Sequence, residues 1–350
     1  MKVSKFNSYP MLGSLLITFT IIVALGCSGN SPSTNKSDRS LQTAVSTKDF
    51  SFIYQGPPVT TFYEAPELSK RVALGELPSV KDRLPDEPLI IPPVERIGQY
   101  GGTWRRGFTG LDTNNMDRIA HDHVLYFDFD GHTLMPHIAK GWEVNEDGTT
   151  FTIYLRNGMK WSDGAPFTAD DFIFAFEEVT MNEKLNPVKP GYAAVDGQSF
   201  KCEKLDETTI RYTFHKPNYV FIEKVGGLFV GGQFVQGGNA RFYAPRHYLM
   251  QFLPKYTPLS DLKNRAKAEG DMSWIYRFKR MASPHKNLEL PVVGPWKMVT
   301  PLTSDIYSLE RNPYYFAVDP EGNQLPYIDK IEMLMFEDVE VFNARAIAGE

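Results

Sequence analysis

The sequence predicts an α/β fold, because segments of strand period and of helix period alternate along it. The clearest strand is Thr149–Leu155, with Phe151, Ile153 and Leu155 on one face and Thr150, Thr152 and Tyr154 on the other. The clearest helix is Phe167–Val179, where Phe172, Phe176 and Val179 fall at helical spacing. Thr209–His215 returns to a two-residue period, with Ile210, Tyr212 and Phe214 opposite Arg211, Thr213 and His215.

Each further element has a local cause. Pro57–Pro93 is rich in proline and turn residues. Within it Pro66–Gly75 reads as a short helix, since Leu68, Val72 and Ala73 share a face and Gly75 stops it. Gly98–Gly107 reads as a glycine turn opening a strand. Asn157-Gly158 supports a tight turn after the first clear strand. Thr168 caps the helix that follows, with Asp171 as the acidic half of a capping box, and its aromatics read as core. Asp305–Arg311 alternates from Ile306 and Tyr307. Lys330–Glu337 is a mixed apolar run that predicts a strand buried on both sides. Asp338–Glu350 begins a helix whose apolar face is Phe342, Ala346 and Ile347. Apolar surface left in water costs about 25 cal/mol per Å². The unpartnered face therefore raises the expectation of a truncated reading frame or a fragment.

Composition narrows the function. The chain has 350 residues, 42% hydrophobic, which is ample for one or two cores. A net charge of -5 supplies no clustered basic surface for nucleic acid and no polybasic membrane patch. Cys27 and Cys202 are the two cysteines, so if Cys27 is used for something else no internal disulfide forms. No CxxC or Cys/His zinc spacing is present.

The N-terminus has the order of a secretory signal: Lys2 and Lys5, then apolar Met11–Leu25, then small Gly26 before Cys27. A transmembrane anchor is the alternative, but the run is shorter than the ~20 residues a spanning helix needs and is interrupted by Thr and Gly. Val23-Ala24-Leu25-Gly26-Cys27 resembles a bacterial lipobox, with Ala24 where Leu is commoner; plain secretion with an incidental cysteine is the other reading. Residues 1–27 are thus read as a lipoprotein signal peptide and Cys27 as the lipidation site. The Ser-, Asn- and Thr-rich residues 28–48 bury too little apolar surface to order themselves and read as a flexible tether. Together they place the work outside the cytoplasmic membrane, in the periplasm or at the cell surface, held by the lipid alone.

Three blocks carry a family resemblance. Leu134–Phe172, including Gly141-Trp-Glu-Val and Trp161-Ser-Asp-Gly164, is similar to the signature of the family 5 extracellular solute-binding proteins of ABC importers. Gly294-Pro-Trp-Lys-Met298 with Leu309-Glu-Arg-Asn-Pro-Tyr-Tyr315 resembles a second family pair, departing at Trp296 and Phe316. Asp319–Asp329 resembles an insertion of a larger subgroup. Ala65-Pro-Glu-Leu, Leu77–Pro85 and Tyr100-Gly-Gly-Thr-Trp104 resemble that subgroup's N-terminal extension.

The resemblance implies a periplasmic-binding-protein type II-like fold of two lobes closing over a cleft, with a small domain inserted in the first. It divides this chain into an N-terminal extension and first segment of lobe I (49–118), the inserted domain (119–205) and a second segment of lobe I (206–350), with the second lobe missing. The implied function is a monomeric receptor that binds a peptide or oligosaccharide and delivers it to the ABC permease subunits, with no catalysis and no cofactor. A cleft with one wall missing is expected to bind weakly.

By the same resemblance Asn114, Asn115, Met116 and Asp117 run along the cleft, where the amides and carboxylate suit a peptide backbone or amine. A solvated turn is the plain alternative. Tyr192 corresponds to a cleft aromatic. Trp161, Ser162, Asp163 and Gly164 read as a structural turn, since Asp163 bonds backbone two residues on and Gly164 tolerates positive φ.

Other signals are weaker. Gly226-Gly227, Gly231-Gly232 and Gly237-Gly238 lack phosphate-loop spacing and read as a loop near the hinge. His121, Asp122, His123, His132 and His137 suggest nickel-type metal binding or a secreted metallohydrolase. No His-x-x-x-His spacing supports either, and no Gly-x-Ser-x-Gly elbow is present. A truncated remnant that no longer binds is the remaining alternative. Changing Cys27→Ala is expected to release the protein from the membrane on cell fractionation; retention of that variant would refute lipidation.

Overall fold

The computed structural model describes residues 54, 56–109, 119–120, 122–128, 130–226, 232–233 and 242–349. Cys27 with the rest of residues 1–27, the tether 28–48, and Asn114, Asn115, Met116 and Asp117 lie outside the described residues, as do His121 and most of the diglycine segment.

The N-terminal part forms α1 (Pro66–Ala73), α2 (Val80–Arg83), β1 (Leu89–Ile90) and β2 (Thr103–Thr109). Next come β3 (Leu125–Phe127), β4 (Leu134–Pro136), β5 (Ala139–Val144) and β6 (Thr150–Leu155). Helix α3 (Ala169–Ile173) runs into a wider π-helical stretch, Phe174–Thr180. Strands β7 (Ala194–Val195), β8 (Gln198–Ser199), β9 (Lys201–Asp206) and β10 (Thr209–Thr213) follow. Helices α4 (Phe221–Gly226), α5 (Arg246–Leu249), α6 (Leu259–Ala268) and α7 (Trp274–Met281) come after them. The chain then returns to strands β11 (Trp296–Met298), β12 (Ile306–Arg311), β13 (Ala317–Val318) and β14 (Lys330–Phe336), and to helix α8 (Val339–Ala348).

Two four-stranded sheets organise these elements. One has the order β5-β6-β10-β9 and is antiparallel throughout. Phe151, Ile153, Ile210, Tyr212 and Phe214 lie in its core, as their alternation requires, against Phe200 and Phe221. The other has the order β11-β12-β14-β2, with β14 and β2 parallel from Lys330↔Thr103 to Phe336↔Thr109. Its core is Phe108, Trp296, Met298, Tyr307, Leu309, Ile331 and Met333. A third cluster, largely helical, gathers Leu249, Phe252, Leu262, Trp274 and Phe278.

Four expectations need correction. The division at 205/206 runs through β9, whose residues pair with β10 in one hairpin. Strands that exchange backbone hydrogen bonds belong to one sheet, so a boundary at that point would split the sheet β5-β6-β10-β9. The helix expected over Phe167–Val179 starts on its capping box, with Thr168 and Asp171 in their expected roles, but widens after Ile173. That stretch lies between two cores: Phe172 buries in the sheet core and Phe176 stacks on Phe200 at 4.4 Å, while Phe174 and Val179 bury among the helices. One stripe of regular helical period does not serve both sides.

Strand β14 is fully buried on one face only; the other face is partly buried. Ile331 and Met333 are fully buried, whereas Glu332 on the other face pairs with Lys330 at 3.2 Å and Arg105 at 3.5 Å. In α8, Phe342 and Ala346 face Gly107, Leu334 and Phe336, but Ile347 is 88% exposed. Ile347 is five residues from Phe342, about 140° further round the helix, so it leaves that face.

The Trp161–Gly164 turn is built as its residue types dictate. Trp161 N donates to Ala165 O at 2.8 Å, Gly164 N to Trp161 O at 2.8 Å, and Asp163 Oδ1 accepts from Ala165 N at 3.1 Å. Ser162 joins the turn to the strand-like segment near Val292 in both directions: its N donates to Val292 O, and its Oγ accepts from Val292 N at 3.0 Å. Gly164 has φ +88, and a Cβ there would press on the Tyr314 hydroxyl at 2.9 Å. Gly164→Val is therefore expected to lower the melting temperature by several degrees, roughly 1–3 kcal/mol of strain. An unchanged melting curve would remove the positive-φ argument.

Candidate functional site

The predicted binding segment comes next in sequence after the end of the parallel pair β2–β14. Thr109 and Phe336 are the last partners, so both strands end at one edge of the sheet. Leu111–Asp117, the predicted binding segment, follow Thr109 directly in sequence. In open α/β sheets, ligands gather outside the carboxyl ends of the strands.

The described chain resumes at Ile119–Ala120 and is held tightly there. A Cβ on Gly294 would collide with the backbone oxygen of Ala120, so glycine permits this close approach. His123 bridges to Gly232, and Val124 O accepts from Ala139 N at 2.9 Å. The buried Tyr243 hydroxyl donates to Asp122 O at 2.6 Å. Gln233 Nε2 donates to Pro291 O at 2.8 Å. Residues remote in sequence thus converge on Asp122–Leu125.

The histidine cluster divides between burial and solvent. His137 Nε2 lies 3.1 Å from Asp122 Oδ1, but the angle is poor for a hydrogen bond and the contact is electrostatic. The Tyr126 ring packs edge-on against His137 at 4.4 Å and His123 at 5.1 Å, and His137 packs on Phe316 at 5.3 Å. His132 is exposed beside Asp130 at 3.5 Å. Among the described residues no group of three metal-type ligands forms. This aromatic and carboxylate network is what sequence spacing missed; its only signal was the density of His and Asp between 121 and 137.

The buried hydroxyls here stay protonated. Burial and the Asp122 carboxylate push Tyr315 and Tyr126 well above the ordinary tyrosine range. Burial likewise pushes up the Cys202 thiol, which is weakly nucleophilic as a result. His247 Nε2 lies 2.8 Å from Asp163 Oδ2 and its ring meets Trp161, which anchors the turn without engaging a nucleophile. The arrangement orients groups and excludes water, as a binding scaffold requires.

Of the predicted residues, Trp161, Ser162, Asp163 and Gly164 come together in one turn. Tyr192 is half-buried, its ring tilted on Phe242 at 5.5 Å over the core of the antiparallel sheet. No described contact joins it to the end of β2.

The profile of the bacterial extracellular solute-binding proteins, family 5 Middle, matches residues 133–350. The chain belongs to this family. It is 30% identical over 316 residues to the periplasmic alpha-galactoside-binding protein of Rhizobium meliloti (strain 1021), covering 82% of this chain and 41% of that one. It resembles the solved structure of the oligopeptide-binding protein OppA, with 40% identity and a TM-score of 0.77 over 84% of this chain and 44% of that one. It also resembles the periplasmic binding protein MelB of Agrobacterium fabrum C58 in complex with stachyose, with 27% identity and a TM-score of 0.64, covering 83% and 43%. The fold is thus that of periplasmic binding proteins, and the chain spans less than half the length of these relatives. The family and these relatives are solute-binding proteins by name, and extracellular or periplasmic. Among the described residues no helix is long and apolar enough to cross a membrane.

Tyr243→Phe removes one buried donor and keeps the ring. It is expected to cost about 1–2 kcal/mol, because Asp122 O is left without that partner. Faster amide exchange across residues 122–126 than in the sheet β5-β6-β10-β9 checks it; unchanged exchange would show that the hydroxyl does not hold this segment.

Proposed function

We propose that the chain is part of an extracytoplasmic solute-binding receptor that captures a peptide or oligosaccharide and delivers it to the permease of an ABC importer. The observation that carries this reading is the common end of β2 and β14, with Asn114, Asn115, Met116 and Asp117 following within eight residues of Thr109. Side-chain amides and a carboxylate that follow a sheet's carboxyl end in sequence suit hydrogen-bonded recognition of peptide amides or sugar hydroxyls. Kinship to proteins named for alpha-galactosides and oligopeptides supports this pair of solute classes.

In this reading Cys27 carries a lipid anchor, residues 28–48 tether the body, and the receptor works as a monomer without cofactor or catalysis. Residues 49–118 and the sheet β11-β12-β14-β2 belong to lobe I. The inserted domain holds the antiparallel sheet and so reaches at least Thr213. Tyr192 lies on the margin of that domain. Binding shifts an open population toward a closed one, and the permease reads the closed form.

Titration calorimetry against a panel of short peptides and galactosides, stachyose included, tests the assignment. Saturable one-to-one binding of one of the two classes is expected for the receptor that carries both lobes, and weak binding for these 350 residues alone. The combined change Asn114→Ala, Asn115→Ala and Asp117→Ala is expected to weaken it at least about tenfold, or 1.4 kcal/mol. Equal affinity of both proteins would remove the segment from the site, and no binding across the panel would count against both solute classes.

A further inference from the structure

A second cavity lies away from the end of the parallel strands, between β1 and the antiparallel sheet. It encloses about 230 Å³ and is half open to solvent. Pro88, Leu89, Ile90 and Pro136 form its apolar wall, and Lys140 and Arg156 its cationic side. An apolar cavity of ~150 Å³ accommodates a benzene ring. This one therefore has room for a ring or branched chain together with a carboxylate.

Arg156 makes the cavity unusual. Its guanidinium sits at the end of β6 and is 6% exposed. Nε donates to His137 O at 2.8 Å and Nη1 to Glu87 O at 3.0 Å, both neutral carbonyls. Among the described residues Nη2 has no protein acceptor, and no carboxylate pairs with the guanidinium. The nearest acid, Glu87, is more than half exposed and is engaged by Lys140 at 2.6 Å. The lining thus carries two cations and one anion. Glu87 acts on Arg156 only at a distance and is shared with Lys140, so the buried cation is incompletely compensated, and a bound anion lowers that cost. Burial already pulls the Arg156 guanidinium down to about 10.

We propose that this cavity binds a small monocarboxylate with an aromatic or branched aliphatic body, its carboxylate on Arg156 and its body against Pro88, Leu89, Ile90 and Pro136. The site is separate from the proposed solute site at the end of β2. Arginine suits the role because its guanidinium stays charged when buried and Nη2 remains to donate a charge-assisted hydrogen bond to a carboxylate oxygen. Lys140 neutralises Glu87 at the wall and so lowers the repulsion that an incoming anion meets.

The test is calorimetric titration of the 350-residue chain with benzoate, isovalerate and the neutral isostere benzamide. Saturable one-to-one binding of a carboxylate, at least about tenfold tighter than benzamide, is expected. Arg156→Met is expected to abolish the preference for the anion. Ile90→Trp fills the cavity while leaving Arg156 in place, and is expected to abolish binding of all three; it keeps the test decisive if Arg156→Met does not fold. Equal binding of benzoate and benzamide overturns the proposal. So does carboxylate binding that survives Ile90→Trp, or no binding of either carboxylate at millimolar concentration. The presence of a saturating peptide or sugar is expected to leave benzoate affinity unchanged, whereas competition would move the carboxylate into the solute site and overturn the separate cavity.

Discussion

The carboxylate of Asp171 ties together three parts of the chain that no other single group joins so directly. Its Oδ2 accepts from the Trp161 indole at 3.1 Å and from Thr168 N at 3.0 Å, and its Oδ1 accepts from Arg246 N at 3.0 Å. The first donor belongs to the turn that follows β6, the second to the start of α3, the third to α5. Burial, the largest influence, raises this carboxyl to about 6 despite the three donors, which pull the other way. A buried charge without such donors is strongly unfavourable, and each hydrogen bond to it contributes about 1.5–3 kcal/mol. The turn, the cap and the helical cluster are therefore specified together.

A second buried charge plays the same part for the N-terminal extension. Arg83 is fully buried at the end of α2. Its guanidinium reaches Glu64, Pro78 O, Pro313 O and the Gln324 side chain, so it fastens the extension to the 313–327 segment. Tyr63 bridges to Asn323, and β1 pairs in parallel with β13. Burial lowers the Arg83 pKa while Glu64 opposes the shift. The extension thereby places β1 where Leu89 and Ile90 line one cavity with Pro136, Lys140 and Arg156. Two stretches read from sequence as separate marks of a subgroup are one structural unit.

The contrast between the two proposed binding regions follows from how charge is handled. Around Asp122 the hydroxyls are neutral and the segment is held by backbone and ring contacts, which suits a rigid support. Around Arg156 the positive charge is hydrogen-bonded to carbonyl dipoles, with Glu87 acting on it only at a distance, leaving a field that reaches into an open cavity. The first region is equipped to position, the second to attract.

What the sequence determined by itself is local. Alternation placed β6, β10 and β12, the capping box placed the start of α3, and Asp163 with Gly164 specified a turn, because each depends on backbone geometry over a few residues. The family resemblance was equally legible, since the motif Trp161-Ser-Asp-Gly164 must satisfy Asp171, Val292 and Tyr314 at once. Only the tertiary structure decided that β9 and β10 form one hairpin, that β14 buries one face, and that the 174–180 stretch widens between two cores. It also decided that Arg156 lines a cavity and that Asp122, His137 and Tyr126 form one buried group. Those outcomes depend on which distant segments meet, and burial or exposure of a side chain is set by its neighbours in space, not by its period along the chain.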